Sequence, residues 1–249
     1  MTEAAWSSCT GPEKMLLFLR NSGKHSDRKL RLFAVACCRR IWTALRDERS
    51  RLAVEVAERY ADGQATDGDR LDASSEACDV MNEPWCESSL SFASATARYA
   101  TEASTLWAVW VARCAAGCLA DADWQAAVDV APDPVLGDDA WVVQEPRADS
   151  AAAMERRAQA HLLRDIFGNP LRPMTLDPAW RTLTVLGFAQ RAYHDRHLPA
   201  GSFAPVLLVA LAAALEQAGC DNSEILGHLR SPGPHVRGCF VVDLILGRT

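Results

Sequence analysis

The chain lacks the short signatures that announce a reaction. It has no Cys-x-x-Cys pair and no Gly-x-Ser-x-Gly elbow, which sets aside the common zinc ribbons and fingers and the α/β-hydrolase nucleophile. Gly233 to Gly238 has the first glycine spacing of a phosphate loop. However, Cys239 and Phe240 stand where Lys and Ser or Thr are required, and Pro234 withholds an N–H. The longest charge-free apolar run, Phe203 to Leu215, contains Pro205 and is too short to span a bilayer. Met1 to Cys9 has no apolar stretch, so no signal peptide is expected. No internal repeat of fixed period is evident.

What remains is an ordinary globular composition. The 249 residues are 49% hydrophobic and 23% charged, enough for one large domain or two small ones with a substantial core. Nine cysteines, an odd number without a framework pattern, fit reduced thiols and a cytoplasmic location. The net charge of −6 hides an asymmetry: ten bases face only three acids between Arg20 and Arg51. Much of the acid excess lies between Asp121 and Glu155. The simplest expectation is that the chain pairs its own halves.

Helical punctuation dominates. Ser26 opens a segment in which Leu30, Phe33, Cys37, Ile41 and Leu45 recur every three or four residues, and further apolar residues widen that stripe to most of the circumference. Leu52, Val56 and Tyr60 mark the next helix, ended at Asp62-Gly63. Leu71 to Met81 reads as a short helix. Ser88 to Leu119 reads as one long helix, or two broken near Gly117, and Trp124 to Val130 adds a turn or two. Ala148 to Phe167 is closed by Gly168-Asn169-Pro170, and Asp177-Pro178 offers a cap followed by proline at the first helical position. Helices from Ser202 or Pro205 to Gly219 and from Asn222 or Ser223 to Leu229 follow, and Val236 to Leu246 is read as helical.

The expected fold is therefore all-α, a bundle of about eight to ten helices, as one domain or two packed sub-bundles. The proline-rich stretch from Ala131 to Asp139 divides the chain into residues 1–131 and 148–249, with 132–147 as linker or surface loop.

The strongest chemical candidate is Cys220, His228, His235 and Cys239. On a helix, His235 and Cys239 would share a face, and two sulfurs with two imidazoles suit tetrahedral zinc. The competing reading has the thiols packing as small hydrophobes and the histidines serving as caps. Cys114 with Cys118, and the adjacent Cys37 and Cys38, read as core. Glu55 and Glu58, among Arg51 and Arg59, read as a solvated helix surface. Arg164 and Asp165 are placed to pair with Arg237 or Asp243. The basic residues of segment 20–51 could also face phosphates, although no nucleic-acid motif accompanies them, which disfavours that partner.

Arg28 to Trp42, Asp47 to Gly63, His161 to Pro170, Leu176 to Trp180 and Ser231 to Phe240 together resemble a paralogue-rich family of planctomycete-type bacterial proteins. Its signatures are RKLRLFA-x-ACCRRIW and PGPHVRGC-x-VVD. The likeness covers roughly residues 1–63 and 160–249, and members carry Trp where Phe240 stands. It implies a cytoplasmic bacterial protein and supplies no activity. The leading expectation is a non-enzymatic protein-interaction or assembly module, acting on a protein partner or on itself, without cofactor or membrane. The alternatives are a zinc enzyme or structural zinc protein built on the Cys/His set, with Asp243 or Arg237 nearby, and a nucleic-acid binder.

Overall fold

The computed structural model describes residues 1–83, 88–101, 105–120 and 150–248. The described residues form an all-α multi-helix bundle with one two-stranded hairpin. Its helices are α1 (Glu3–Ser8), α2 (Pro12–Asn21), α3 (Asp27–Arg40), α4 (Glu48–Ala61), α5 (Asp67–Met81), α6 (Ser88–Ala100), α7 (Thr105–Ala120) and α8 (Ala151–Phe167). A 3-10 turn (Pro178–Trp180), α9 (Leu183–His194), strands β1 (Arg196–His197) and β2 (Ser202–Phe203), α10 (Pro205–Gln217), α11 (Ser223–Arg230) and α12 (Phe240–Leu246) complete it. Twelve α-helices among the described residues exceed the sequence expectation. The excess comes from short helices at the N-terminus and from a break after α6.

Local chemistry explains the helix starts. Ser26, Thr66, Ser150 and Thr182 each accept a hydrogen bond from a first-turn amide, and Thr66 and Asp69 close a reciprocal capping box. That box starts α5 at Asp67, four residues ahead of the apolar pattern. Asp177 caps only the 3-10 turn, and α9 starts anew at Thr182. The break in the Ala-rich stretch falls after α6, whereas Gly117 lies inside α7. The readings of Trp124 to Val130 and of the Ala131 to Asp139 linker lie outside the described residues.

Two apolar cores result. The first gathers Trp6, Leu16, Phe33, Val54, Val111 and Leu163. Its axis is α3, in which every residue from Leu30 to Arg39 is buried. The second gathers Val185, Tyr193, Leu211, Ile225, Val242 and Ile245 from α9 to α12. Helix α8 belongs to the first core, to which Val236 also contributes.

Buried ion pairs join these cores. Arg28 on α3 reaches Asp62 after α4 at 3.0 Å and Asp243 on α12 at 2.6 Å. Glu58 on α4 accepts from Arg39 at 2.7 Å and from Arg196 of the hairpin. Thus Glu58 is buried in a seam of ion pairs and is not the solvated residue its helix spacing implied. Arg31, Arg40 and Arg49 are also engaged within the chain, on the Thr101 carbonyl, on Glu155 and on Asp47 with Glu83. The basic segment therefore spends much of its charge internally.

Gly168 marks where the layers touch. Its φ of +62° suits glycine, and a Cβ there would lie 3.0 Å from the Phe240 ring. Its carbonyl accepts from the Trp6 indole at 2.9 Å, so α1, α8 and α12 meet at one residue.

Candidate metal centre

At the seam, α8 projects Asp165 toward the segment linking α11 to α12. Asp165 is nearly fully buried, as are His235 and Cys239, while His228 is half-buried. One carboxylate oxygen, Asp165 Oδ1, lies 2.8 Å from His235 Nδ1 and 3.1 Å from His228 Nε2. The same His228 Nε2 lies 3.2 Å from Cys239 Sγ. One ligand atom from each of these four residues lies within 4.8 Å of the other three.

The backbone holds this loop firmly. Val236 N–H donates to Asp165 Oδ2 at 3.0 Å, and Phe203 N–H of β2 donates to the His235 carbonyl at 2.8 Å. Cys239 N–H closes a turn onto the Val236 carbonyl at 2.9 Å. Gly238 in that turn has φ of +90°, and a Cβ would stand 3.0 Å from Leu32. His235 and Cys239 therefore meet across a glycine turn, not along a helix face, because α12 begins only at Phe240.

Of the four residues expected at a metal site, the structure brings together His228, His235 and Cys239. Cys220 is outside the group. It terminates α10, where its amide bonds the Leu215 carbonyl, and its side chain packs into the second core. Asp165 takes the fourth place. It lies 63 residues from His228, so no spacing rule connects them, and the expected pairing with Arg237 or Asp243 does not occur. Arg237 instead lies 3.4 Å from Asp62, Asp243 is committed to Arg28, and Arg164 donates to the carbonyls of Trp6 and Cys9. Cys37, Cys38 and Cys114 are core residues as read. The Cys118 side chain lies outside the described residues.

His235 Nε2 lies 3.1 Å from the Ser231 carbonyl and 3.2 Å from the Ser231 hydroxyl, while Nδ1 faces Asp165 Oδ1 at 2.8 Å. A ring protonated on Nδ1 donates to that carboxylate, and one protonated on Nε2 donates to the Ser231 carbonyl. Burial tends to lower the His235 pKa, but its pairing with Asp165 outweighs that and raises it. Asp165 is the mirror case: burial pushes it up, and the two histidines hold it below the ordinary carboxylate range. Cys239 is driven well above the usual thiol value by burial and by the Asp165 charge.

These facts decide against a Cys–His–Asp nucleophile. In a working triad the acid and the nucleophile engage different ring nitrogens, whereas Asp165 and Cys239 both face His228 Nε2. The Cys239 thiol is also fully buried, and burial with the Asp165 charge works against an exposed, reactive thiolate.

The donor set fits a divalent transition metal. Carboxylate and thiolate supply two negative charges, so a dication with two neutral imidazoles makes a buried cluster with no net charge. Tetrahedral zinc separates its ligand atoms by about 3.3–3.6 Å, so the three contacts of 2.8–3.2 Å would lengthen on binding, and all four ligand atoms already lie within 4.8 Å of one another. The Ser231 carbonyl beside His235 Nε2 is the kind of outer-shell partner that metal-bound histidines normally have.

No protein-family model, no curated protein and no solved structure matches the chain. Among the described residues, no helix is long and apolar enough to cross a membrane.

Proposed function

We propose that this chain is a non-enzymatic helical protein that binds one zinc ion through Asp165, His228, His235 and Cys239, the metal fastening α8 to the α11–α12 turn. The observation that carries the reading is the single oxygen Asp165 Oδ1 facing two imidazole nitrogens, one of which also faces the Cys239 sulfur. Four protein ligands in a largely buried setting correspond to a closed structural site rather than to a catalytic one with an open position. Cobalt substitution tests it. Co(II) should bind with a thiolate-to-cobalt charge-transfer band that Cys239→Ser abolishes. A spectrum of hexaaqua cobalt alone would end the proposal.

The interaction reading has separate support on α10. That helix carries no charge before Glu216, and its outer positions Val206 and Val209 remain 73% and 53% exposed. A helix apolar on all sides normally covers both faces. We take this face as one through which the chain assembles with another copy. Sedimentation should show concentration-dependent self-association that Val206→Lys with Val209→Lys removes, and a monomer at all concentrations would contradict it.

A further inference from the structure

A cavity of about 430 Å³ lies between the α2–α3 turn, the loop after α8 and the outer face of α12. Phe240 forms part of its wall and packs against His228 at a tilt of 55°, with ring centroids 4.5 Å apart. The cavity is therefore adjacent to the metal cluster and separate from it.

Its lining is two-sided. Phe167, Pro173, Met174, Phe240 and Leu244 give an apolar wall, while Lys24, Lys29, Arg172 and Arg248 bring positive charge and no lining residue is acidic. Arg172 is offset by Glu3 and Glu224, and Arg248 by Asp62. Among the described residues the lysines make no direct ion pair. Lys24 donates to the Pro170 carbonyl at 2.7 Å, and Lys29 sits 5.8 Å from the Phe167 ring centre. Burial lowers the Lys29 pKa, and the charges of Asp243, itself bonded to Arg28, and of Asp165 oppose that shift. Ser26 caps α3 and Lys29 lies in its first turn, where the helix dipole favours an anion and Asp27 already places one carboxylate.

We propose that this cavity binds a small phosphate monoester with an apolar body, its phosphoryl group held between Lys24 and Lys29 and its body against Phe167, Met174 and Phe240. The volume suits a small organic ligand. Two ammonium groups near a helix start match a dianion better than a monoanion, and the apolar wall distinguishes an ester from free phosphate. The inference does not depend on the metal, since no residue of the zinc set lines the cavity.

Isothermal titration of the full chain with phenyl phosphate tests it, beside inorganic phosphate and benzoate, each with and without EDTA. Phenyl phosphate should bind with a Kd below about 1 mM, more tightly than either control and with or without chelator. Lys29→Met should weaken it by roughly tenfold or more while leaving metal content unchanged. If Lys29→Met does not fold, Lys24→Met carries the same expectation. Absence of phenyl phosphate binding, or wild-type affinity in folded Lys24→Met or Lys29→Met, would overturn the assignment. So would inorganic phosphate or benzoate binding as tightly as phenyl phosphate.

Discussion

Arg28 Nη1 donates to Asp243 Oδ2 at 2.6 Å across 215 residues of sequence, joining the central helix of the first core to the last helix of the second. Arg28 also reaches Asp62 and Tyr193. The Asp243 side chain is fully buried, so removing its partner strands a charge. Arg28→Met should cost about 3–5 kcal/mol in urea unfolding. A loss below about 1 kcal/mol would show that the seam is solvated and does not hold the cores together.

Glu58 supplies the pH test. Burial alone would raise its pKa, but Arg196 and Arg39 hold it below the ordinary value of 4.5. A depressed acid contributes stability above that value and loses it as pH falls through the lower folded value. Unfolding free energy should therefore drop between about pH 5 and pH 3. Glu58→Gln should be less stable at neutral pH and show a shallower acid limb. Parallel acid limbs in the two proteins would assign the drop to other groups.

Gly168→Ala should destabilise the chain by about 1–3 kcal/mol. Its φ of +62° strains an L side chain, and the new methyl would press on Phe240. Calorimetry should show a melting temperature several degrees lower. An unchanged Tm would mean that α8 and α12 separate without cost.

The thiols divide by position. Cys239→Ser and Asp165→Asn should each lower zinc affinity by roughly tenfold to a hundredfold or more. Cys220→Ser should leave zinc content and affinity untouched, because Cys220 belongs to the second core. A competition titration with a chromophoric chelator reads both effects. Equal losses from Cys220→Ser and Cys239→Ser would mean that the cluster is drawn differently from the one described.

Much of this architecture was legible where local chemistry decides it. Ser26, Asn222 and Gly168 mark helix ends in the sequence and in the structure alike. The period of Leu30, Phe33 and Cys37 reports real burial. Periodicity misled where packing is asymmetric. Leu52 follows the same spacing rule on α4 yet is 42% exposed, while Ala53, Val54 and Ala57 face the core. The β1–β2 hairpin escaped notice because two-residue strands carry no alternation to read. For the site, His228, His235 and Cys239 stood out as chemically unusual neighbours in sequence. Asp165 did not, since its selection depends on how α8 packs against α11, a long-range relationship that no spacing encodes. Glu58 was misread for the same reason: a charged residue on a helix looks solvated until a second layer covers it.

The metal content of purified protein tests the central claim most directly. The chain should be expressed in zinc-supplemented medium, purified without chelator and measured by plasma mass spectrometry against protein concentration. One zinc per chain is predicted, falling in Asp165→Asn and Cys239→Ser and restored by added zinc in the wild type alone. Less than about a tenth of an equivalent in the wild type, not raised by added zinc, would contradict it. Asp165, His228, His235 and Cys239 would then be a buried ion-pair and hydrogen-bond cluster with no metal role.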